Sequence, residues 1–347
     1  MTARGPWPGG PHRLSRVSEH PEPDPFLDGF TGPIAGRALI DGVSLGVFDS
    51  LHDAEGTAIE IAERLGLDPL GAETLLTALL ALGYLELSDG RWRNAPVSER
   101  QLVSSSPESI ATFVGAQGDL HWDVLTMMPE ALRDGRAYGM HEERREPERW
   151  SAYMRGLFEV SRAEQDANAA LVPVAEPRHL VDVAGGHGAF SMAMCRRHPS
   201  LHATVLDLPP AAAVGRAIVV EQGFADRVSF VDGDVFELGL GTGLDVVSVF
   251  NLVHHLPEDR DRELVRMARA ALRRGGWLVL GDSERPLPEG DVPRVGALSS
   301  LLFYAWSHGH NFSADEIAGW LGQAGFEDVR VHRNDRSPWR IIVLGRA

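Results

Sequence analysis

The chain has 347 residues, which is long enough for two domains with a large buried core. Its formal net charge is -16 at pH 7, so a nucleic-acid partner, which needs a basic patch for phosphates, is not expected. The sequence contains no lysine, and this excludes Schiff-base chemistry and a P-loop lysine. The one cysteine, Cys195, cannot form an intrachain disulfide, and no apolar run could span a membrane, so we expect a cytoplasmic protein.

The N-terminal part of the chain changes character near residue 26. Residues 1–25 are rich in proline, glycine, arginine and histidine and lack the apolar core of a signal peptide. We therefore predict a disordered tail there. From about residue 33 to residue 51, apolar residues recur at the spacing of a helix.

Two further helices and a hairpin complete a predicted domain at 26–106. Thr57, with a glutamate three residues later, has the pattern of a capping box and begins one helix, and Asp68 caps the next. Two short strand patterns then flank a turn at Asp89-Gly90. Helix, helix and hairpin in this order predict a winged helix-turn-helix.

A winged helix can bind DNA or can hold two subunits together. The helix in the recognition position, from Pro69 to Leu82, contains Glu73 and no arginine, so nothing on it neutralises phosphates. We therefore favour a dimerisation module and a homodimer, with DNA binding as the alternative.

Residues 107–172 are predicted to be connecting helices. Apolar and aromatic side chains recur there at helical spacing, among them Trp122, Met127, Met154 and Phe158. Such a stripe is most simply explained as core packing.

From residue 173 to residue 347, strands and helices alternate, as in an α/β domain. The run from Leu180 to Val183 ends in a turn that contains Gly185, Gly186 and Gly188. Later apolar runs end at polar or acidic residues. These are Asp207, Asp232, Asn251 and Asp282, after runs near 202–206, 227–231, 244–250 and 277–280. Open parallel sheets bind their ligands at this edge.

Four segments carry a specific resemblance: Asp182–Gly188, Leu206–Pro209, Gly233–Phe236 and Val253–His255. Their order and spacing resemble those of S-adenosylmethionine (SAM)-dependent O-methyltransferases, in the subgroup of plant caffeic acid and bacterial polyketide-tailoring enzymes. The similarity extends over residues 34 to 345. It implies a Rossmann-like α/β domain with a mostly parallel seven-stranded sheet, SAM as the cofactor, and a mainly helical winged-helix domain that forms a homodimer.

The resemblance also implies a set of cofactor-binding residues. Gly186 and Gly188 would lie against the methionine part, Asp207 would bind the ribose, and Asp234 would accept from the adenine amine. Val235 and Phe236 would lie against the adenine ring. The remaining candidates are Asp182, Gly185, Leu208 and Asn251. Ala184 replaces the first glycine of the family, which is tolerable if its φ is negative.

Methyl transfer to a hydroxyl requires in-line alignment and removal of the hydroxyl proton. The resemblance implies that His254 is the base, with His255 where the family has an acidic residue. Asp282 would hold the other ring nitrogen of His254, with Glu284 as a substitute, and Asn311 aligns with a second family glutamate. Few possible ligands near the two histidines have the spacing of a zinc site, so no metal is expected.

In the family, the helices of residues 107–172 roof the acceptor pocket, which is predicted to contain Trp122, Met127, Met154, Phe158, Phe303 and Trp306. We expect the acceptor to be a phenol of an aromatic or polyketide-type metabolite. Phe250 and Leu256 stand where the plant enzymes have other residues. These differences weaken the plant enzymes as a guide to the acceptor. Two alternatives stay open: other SAM-dependent chemistry on the same fold (hydroxylation, C-methylation or cyclisation) and a DNA-binding regulator that senses SAM.

Overall fold

A computed structural model of the chain describes residues 24–139, 147–285, 292–334 and 337–347. Most of the predicted tail at 1–25 lies outside the described residues, which begin at Asp24. No helix in the described part of the chain is long and apolar enough to cross a membrane.

The N-terminal unit is helical and ends in a small hairpin. A π-helical turn precedes its elements, which are α1 (Gly32–Ser44), α2 (Val47–Asp53), α3 (Ala58–Leu65), α4 (Pro69–Ala81), β1 (Leu85–Ser88), β2 (Arg91–Asn94) and α5 (Pro96–Gln101). Gly46, at φ 78°, divides the helix that the sequence predicts over 33–51 into α1 and α2. The capping box at Thr57 and Glu60 is present, with both of its hydrogen bonds.

Two long helices follow, α6 (Ala111–Asp134) and α7 (Pro147–Leu171). They pack against each other, and α6 also packs against a helix from the C-terminal part of the chain, α12 (Arg294–Ser307), which α7 meets through Tyr153 and Trp306. Helix α12 is not among the elements predicted from the sequence.

The remaining elements form an α/β unit. They are β3 (His179–Val183), α8 (Ala189–Arg197), β4 (His202–Asp207), α9 (Pro209–Glu221), β5 (Val228–Asp232), α10 (Val235–Leu238), β6 (Leu244–Phe250), α11 (Glu258–Ala271), β7 (Leu272–Ser283), α13 (Ala314–Gln323), β8 (Glu327–Asn334) and β9 (Ser337–Arg346). The sheet order is β5-β4-β3-β6-β7-β9-β8, parallel except for β9. The predicted mostly parallel seven-stranded sheet is confirmed.

Helices cover both faces of this sheet, so its strands are apolar on both sides. One core cluster joins the sheet to α11 and α13, and a second joins it to α8 and α9. The strand order reverses at β3, which has β4 on one side and β6 on the other. Ligands bind at such a reversal, beyond the carboxyl ends of the strands. The glycine turn begins there.

Candidate active site

The turn after β3 is built from left-handed backbone. Ala184, Gly186 and Gly188 have φ of 50°, 49° and 71°. A negative φ, the condition under which alanine would be tolerable at this position, is therefore not met. The N–H of Ala184 donates to the carbonyl of Leu206 on β4, and the chain turns away immediately afterwards. A Cβ in this region is strained, so Ala184 holds a conformation that glycine would adopt at lower cost.

Asp182, on β3 directly before the turn, stabilises it through buried hydrogen bonds. Its carboxylate is buried and accepts hydrogen bonds from Ser191 Oγ at 2.8 Å and Ser248 Oγ at 2.7 Å. Burial raises its pKa to about 6, and the two serine donors act in the opposite direction. A Cβ on Gly185 would lie 2.6 Å from the Asp182 carboxyl carbon, so only glycine fits there. Asp182 and Gly185 thus hold the turn in place.

Asp207 lies at the end of β4, facing the same turn. Its two oxygens accept the N–H groups of Gly186 and Leu208, each at 2.7 Å, and the Leu208 side chain itself is exposed. Burial raises the pKa of Asp207 to about 6, against the effect of these two donors. Each carboxylate oxygen keeps a lone pair that can accept from a hydroxyl.

The next strand end presents Asp234 and Phe236. Asp234 caps α10 by accepting the N–H of Phe236 at 2.8 Å. The guanidinium of Arg260 lies 3.6 Å from the centre of the Phe236 ring, a contact that the sequence does not reveal because α11 is distant in the chain. Val235 is buried in the core.

Asn251, after β6, has φ 53° and an exposed side chain. Its Oδ1 accepts from Arg340 of β9 at 3.0 Å. Arg340 also lies 3.4 Å from Glu164 of α7, so this group joins the sheet edge to the long helix.

The two adjacent histidines have different surroundings. His254 Nδ1 lies 2.6 Å from Asp282 Oδ1, and the two side chains are only 3% and 2% exposed. The Nδ1–H therefore donates to Asp282, and Nε2 carries the lone pair. Phe303 of α12 stacks on the His254 ring, with centroids 3.8 Å apart. These contacts fix both the tautomer and the ring plane.

His255, Glu284 and Asn311 have other described partners. His255 Nδ1 lies 2.8 Å from Ser307 Oγ, and Asn311 Nδ2 donates to Ser300 Oγ at 2.8 Å. Glu284, the substitute for Asp282, pairs with Arg333 through both oxygens and accepts the N–H of Ala314. Glu284 therefore serves the start of α13, and Asp282 is the acid on His254.

The six residues predicted for the acceptor pocket fall into separate groups. Met154 lies over Gly186, and Phe158 meets the edge of His187, so both contact the glycine turn. Phe303 is on the His254 ring. Trp306 belongs to the apolar cluster between α6, α7 and α12.

That cluster includes Met128, whereas Met127 and Trp122 are half-buried outside it. His121 packs against Trp306, with ring centroids 5.3 Å apart, and burial lowers the pKa of His121 to about 4. His121 is not among the residues predicted from the sequence, although it shares a helical spacing with Met128. No group of three His, Cys, Asp or Glu side chains within the described ranges is placed to hold a metal ion.

Comparison with known proteins agrees with this geometry. Residues 123–327 match the O-methyltransferase domain, and residues 27–104 match the O-methyltransferase dimerisation domain. The chain is 31% identical to the 3-hydroxy-5-methyl-1-naphthoate 3-O-methyltransferase of Streptomyces sahachiroi, over 90% of this chain and 91% of the relative. It is also 31% identical to the N,N-dimethyltransferase OxyT of Streptomyces rimosus, over 89% and 92%.

Among solved structures, human N-acetylserotonin methyltransferase in complex with SAM has the same fold. Its TM-score is 0.81 at 21% identity, and the alignment covers 92% of this chain and 95% of the human chain. The family, the activity and the cofactor implied by the sequence motifs are confirmed. This protein belongs to the family of SAM-dependent O-methyltransferases.

Proposed function

We propose that the enzyme methylates a phenolic hydroxyl of an aromatic or polyketide-type acceptor, with His254 as the general base. The observation that carries this proposal is the buried His254–Asp282 pair at 2.6 Å, which leaves Nε2 as the basic nitrogen. An aromatic acceptor is supported by the relative named for a hydroxynaphthoate and by the aromatic side chains of α7 and α12.

The residues of the sheet edge fit the cofactor. Gly186 and Gly188 carry no side chain at two left-handed positions of the turn, Asp207 retains acceptor lone pairs for ribose hydroxyls, and the second oxygen of Asp234 can accept from an adenine amine. Phe236 offers a ring face at the same edge. When bound, SAM supplies a methyl group on a sulfonium, whose sulfur leaves as a neutral thioether.

The chain's own part in the reaction is proton removal and orientation. His254 Nε2 takes the proton of the phenol, and Asp282 stabilises the resulting imidazolium through Nδ1–H. Phe303 stacks on the ring and restricts its rotation, which keeps the base in one orientation. Asp182 and Gly185 hold the shape of the glycine turn that would bind the cofactor.

A second candidate function is methyl transfer to nitrogen on the same scaffold. It is favoured by the similarity to OxyT, which is named as an N,N-dimethyltransferase. A screen of matched phenols and aromatic amines with labelled SAM separates the two. We expect label in the phenols.

The test of the base is His254→Ala. We expect kcat to fall about 10²–10⁴-fold because the phenol loses its proton acceptor, while the Kd of S-adenosylhomocysteine stays within about twofold. Stopped-time assays and calorimetry measure the two quantities. His255→Ala is the matched comparison, with a loss of less than about tenfold. An unchanged rate in His254→Ala, or a large loss in His255→Ala alone, would place the base elsewhere.

We propose that the enzyme is a homodimer. We also propose that its chain divides into the segments 26–106, 107–172 and 173–347. Support comes from the dimerisation domain at 27–104. Apolar side chains are also exposed on two segments linked by Asp28 and Arg294, whose charged atoms are 4.0 Å apart. These side chains are Phe26, Leu27, Phe30, Ile34, Val295 and Leu298. A cytoplasmic location is consistent with Cys195, which is a buried free thiol.

A further inference from the structure

A buried acid lies behind the His254–Asp282 pair and has no part in the function proposed above. Asp261 of α11 is 0% exposed, and neither of its carboxyl oxygens has a hydrogen-bond partner among the described residues. Oδ2 of Asp282 is also buried without a hydrogen-bond partner, whereas Oδ1 of Asp282 meets His254 and accepts the N–H of Ser283. Buried polar atoms without partners are uncommon, so three such oxygens require an explanation.

The register of the elements places the two acids on one side of the sheet. Leu278 and Leu280 of β7 pack with Val265 of α11 in a single core cluster. Asp282 is two residues beyond Leu280 on the same strand and therefore faces α11 as well. Asp261 is four residues before Val265, so it lies on the face of α11 that meets β7. The carboxyl groups of Asp261 and Asp282 thus lie in the same layer.

The charges that act on Asp261 favour its neutral form. Burial raises the pKa of Asp261 to about 9, and the carboxylates of Asp282 on β7 and of Glu258 and Asp259 on its own helix act in the same direction. From α13, the packed face is apolar and includes Ile317. At neutral pH, Asp261 therefore keeps a proton that it can donate.

We propose that Asp261 is a positioning residue of the methyl transfer, which as a neutral acid donates a hydrogen bond to Oδ2 of Asp282. This donor draws negative charge away from the oxygen that holds His254. The imidazolium form of His254 is then stabilised less than it would be beside an Asp282 without that donor. The proton stays on Asp261 throughout, and no bond is made or broken there. The inference rests on the proposed role of His254.

The test reads the His254 ring directly, in the full-length enzyme, from the NMR titration of its Cε1 proton. The resonance is identified by its loss in His254→Gln. In Asp261→Leu, which removes the donor at similar size, we expect the titration midpoint to rise by about one pH unit. Asp261→Asn keeps an N–H donor and should stay within about 0.3 units of the wild type. The control Val265→Ala, on the same face of α11, should not move the midpoint.

The acid limb of the pH profile of kcat/KM should shift in the same direction as the His254 midpoint. The shift should be large in Asp261→Leu and small in Asp261→Asn. Equal midpoints in Asp261→Leu and the wild type, or equal shifts in the leucine and asparagine variants, would overturn the proposal. Because the titration needs no turnover, this failure differs from failure of the base assignment, which shows as an active His254→Ala.

Thermal unfolding gives a second reading if the leucine variant does not fold. A folded-state pKa above the unfolded value means that the folded protein holds a proton that the unfolded chain releases, so stability falls as pH rises from about 4 towards 9. Asp261→Asn lacks this term. The Tm of Asp261→Asn minus the Tm of the wild type should therefore increase steadily between pH 5 and about pH 8.5, which lie within that window. A constant difference would show that Asp261 is ionised and would refute the proposed donor.

Discussion

Ala184 shows how one residue can retain a conformation that its side chain disfavours. Its φ of 50° is enforced on one side by the hydrogen bond to Leu206 and on the other by the turn through Gly186. An L-residue in this region costs roughly 1–2 kcal/mol, so the fold around the turn must supply that energy.

Ala184→Gly should therefore stabilise the ligand-free enzyme. Glycine removes the Cβ strain but loses more backbone entropy on folding, so we expect a net gain of about 0.5–1 kcal/mol in the free energy of unfolding. Urea unfolding measures it. Ala203→Gly, a buried position within β4, is the control and should lose about 1 kcal/mol. A loss in both variants would contradict the strain at Ala184.

Single residues at strand ends were accessible from the sequence, and residues defined by packing were not. Asp207 and Asp282 could be located because polar residues after successive parallel strands converge on one edge, whereas His254 came from the resemblance to the O-methyltransferase motifs. Arg260 and Asp261 belong to a charged first turn of α11, which in sequence resembles any solvated helix start. Only the arrangement of α11 on β7 distinguishes the half-buried Arg260 from the fully buried Asp261.

Among the elements, α7 is the one that ties the glycine turn to the rest of the molecule. Met154 lies over Gly186, and Ser161 Oγ is 3.2 Å from His187 Nε2. His187 Nδ1 accepts the N–H of Ala189, so its Nε2–H donates to Ser161. The imidazole is thus held neutral between a helix and a loop.

This arrangement has a pH dependence. Burial lowers the pKa of His187 to about 4, so the unfolded chain binds the proton first. The contribution of the neutral His187 to stability is complete above pH 6.5 and is lost as the pH falls towards 4. The loss at pH 5 amounts to about 2 kcal/mol.

His187→Gln should lack that loss, because an amide does not titrate. Urea unfolding of both proteins at pH 7.5 and pH 5 gives the comparison, and carboxylates common to both proteins cancel. A parallel fall in the two proteins would mean that the imidazole is protonated in the folded state.

Element boundaries followed local signals where these were strong. The capping box at Thr57 and the turn at Asp89-Gly90 are present as the sequence predicts. The split at Gly46 and the helix α12 were not anticipated. In both places tertiary packing selects among local conformations that the residues alone allow.

At the scale of the whole molecule, the exposed apolar side chains of residues 26–34 and of α12 are explained best as an interface with a partner. Isolated apolar residues on a surface are ordinary, but a contiguous group marks an interface. The Asp28–Arg294 contact shows that the two segments adjoin.

Leu298→Asp should therefore disrupt the proposed homodimer. Leu298 is 55% exposed, and a carboxylate buried between two copies has no partner there. Light scattering coupled to gel filtration should give the mass of a monomer. Val220→Asp on α9, at 63% exposure, is the control and should remain dimeric. A dimer in both variants would place the interface elsewhere.

The insertion of β9 between β7 and β8 bears on how the protein is made. During translation, β7 leaves the ribosome long before β9, so its outer row of N–H and C=O groups stays unsatisfied along an apolar strand. Contacts between segments so distant in the chain form late and slowly. Nascent chains of this enzyme should therefore need protection by chaperones until β9 has been synthesised.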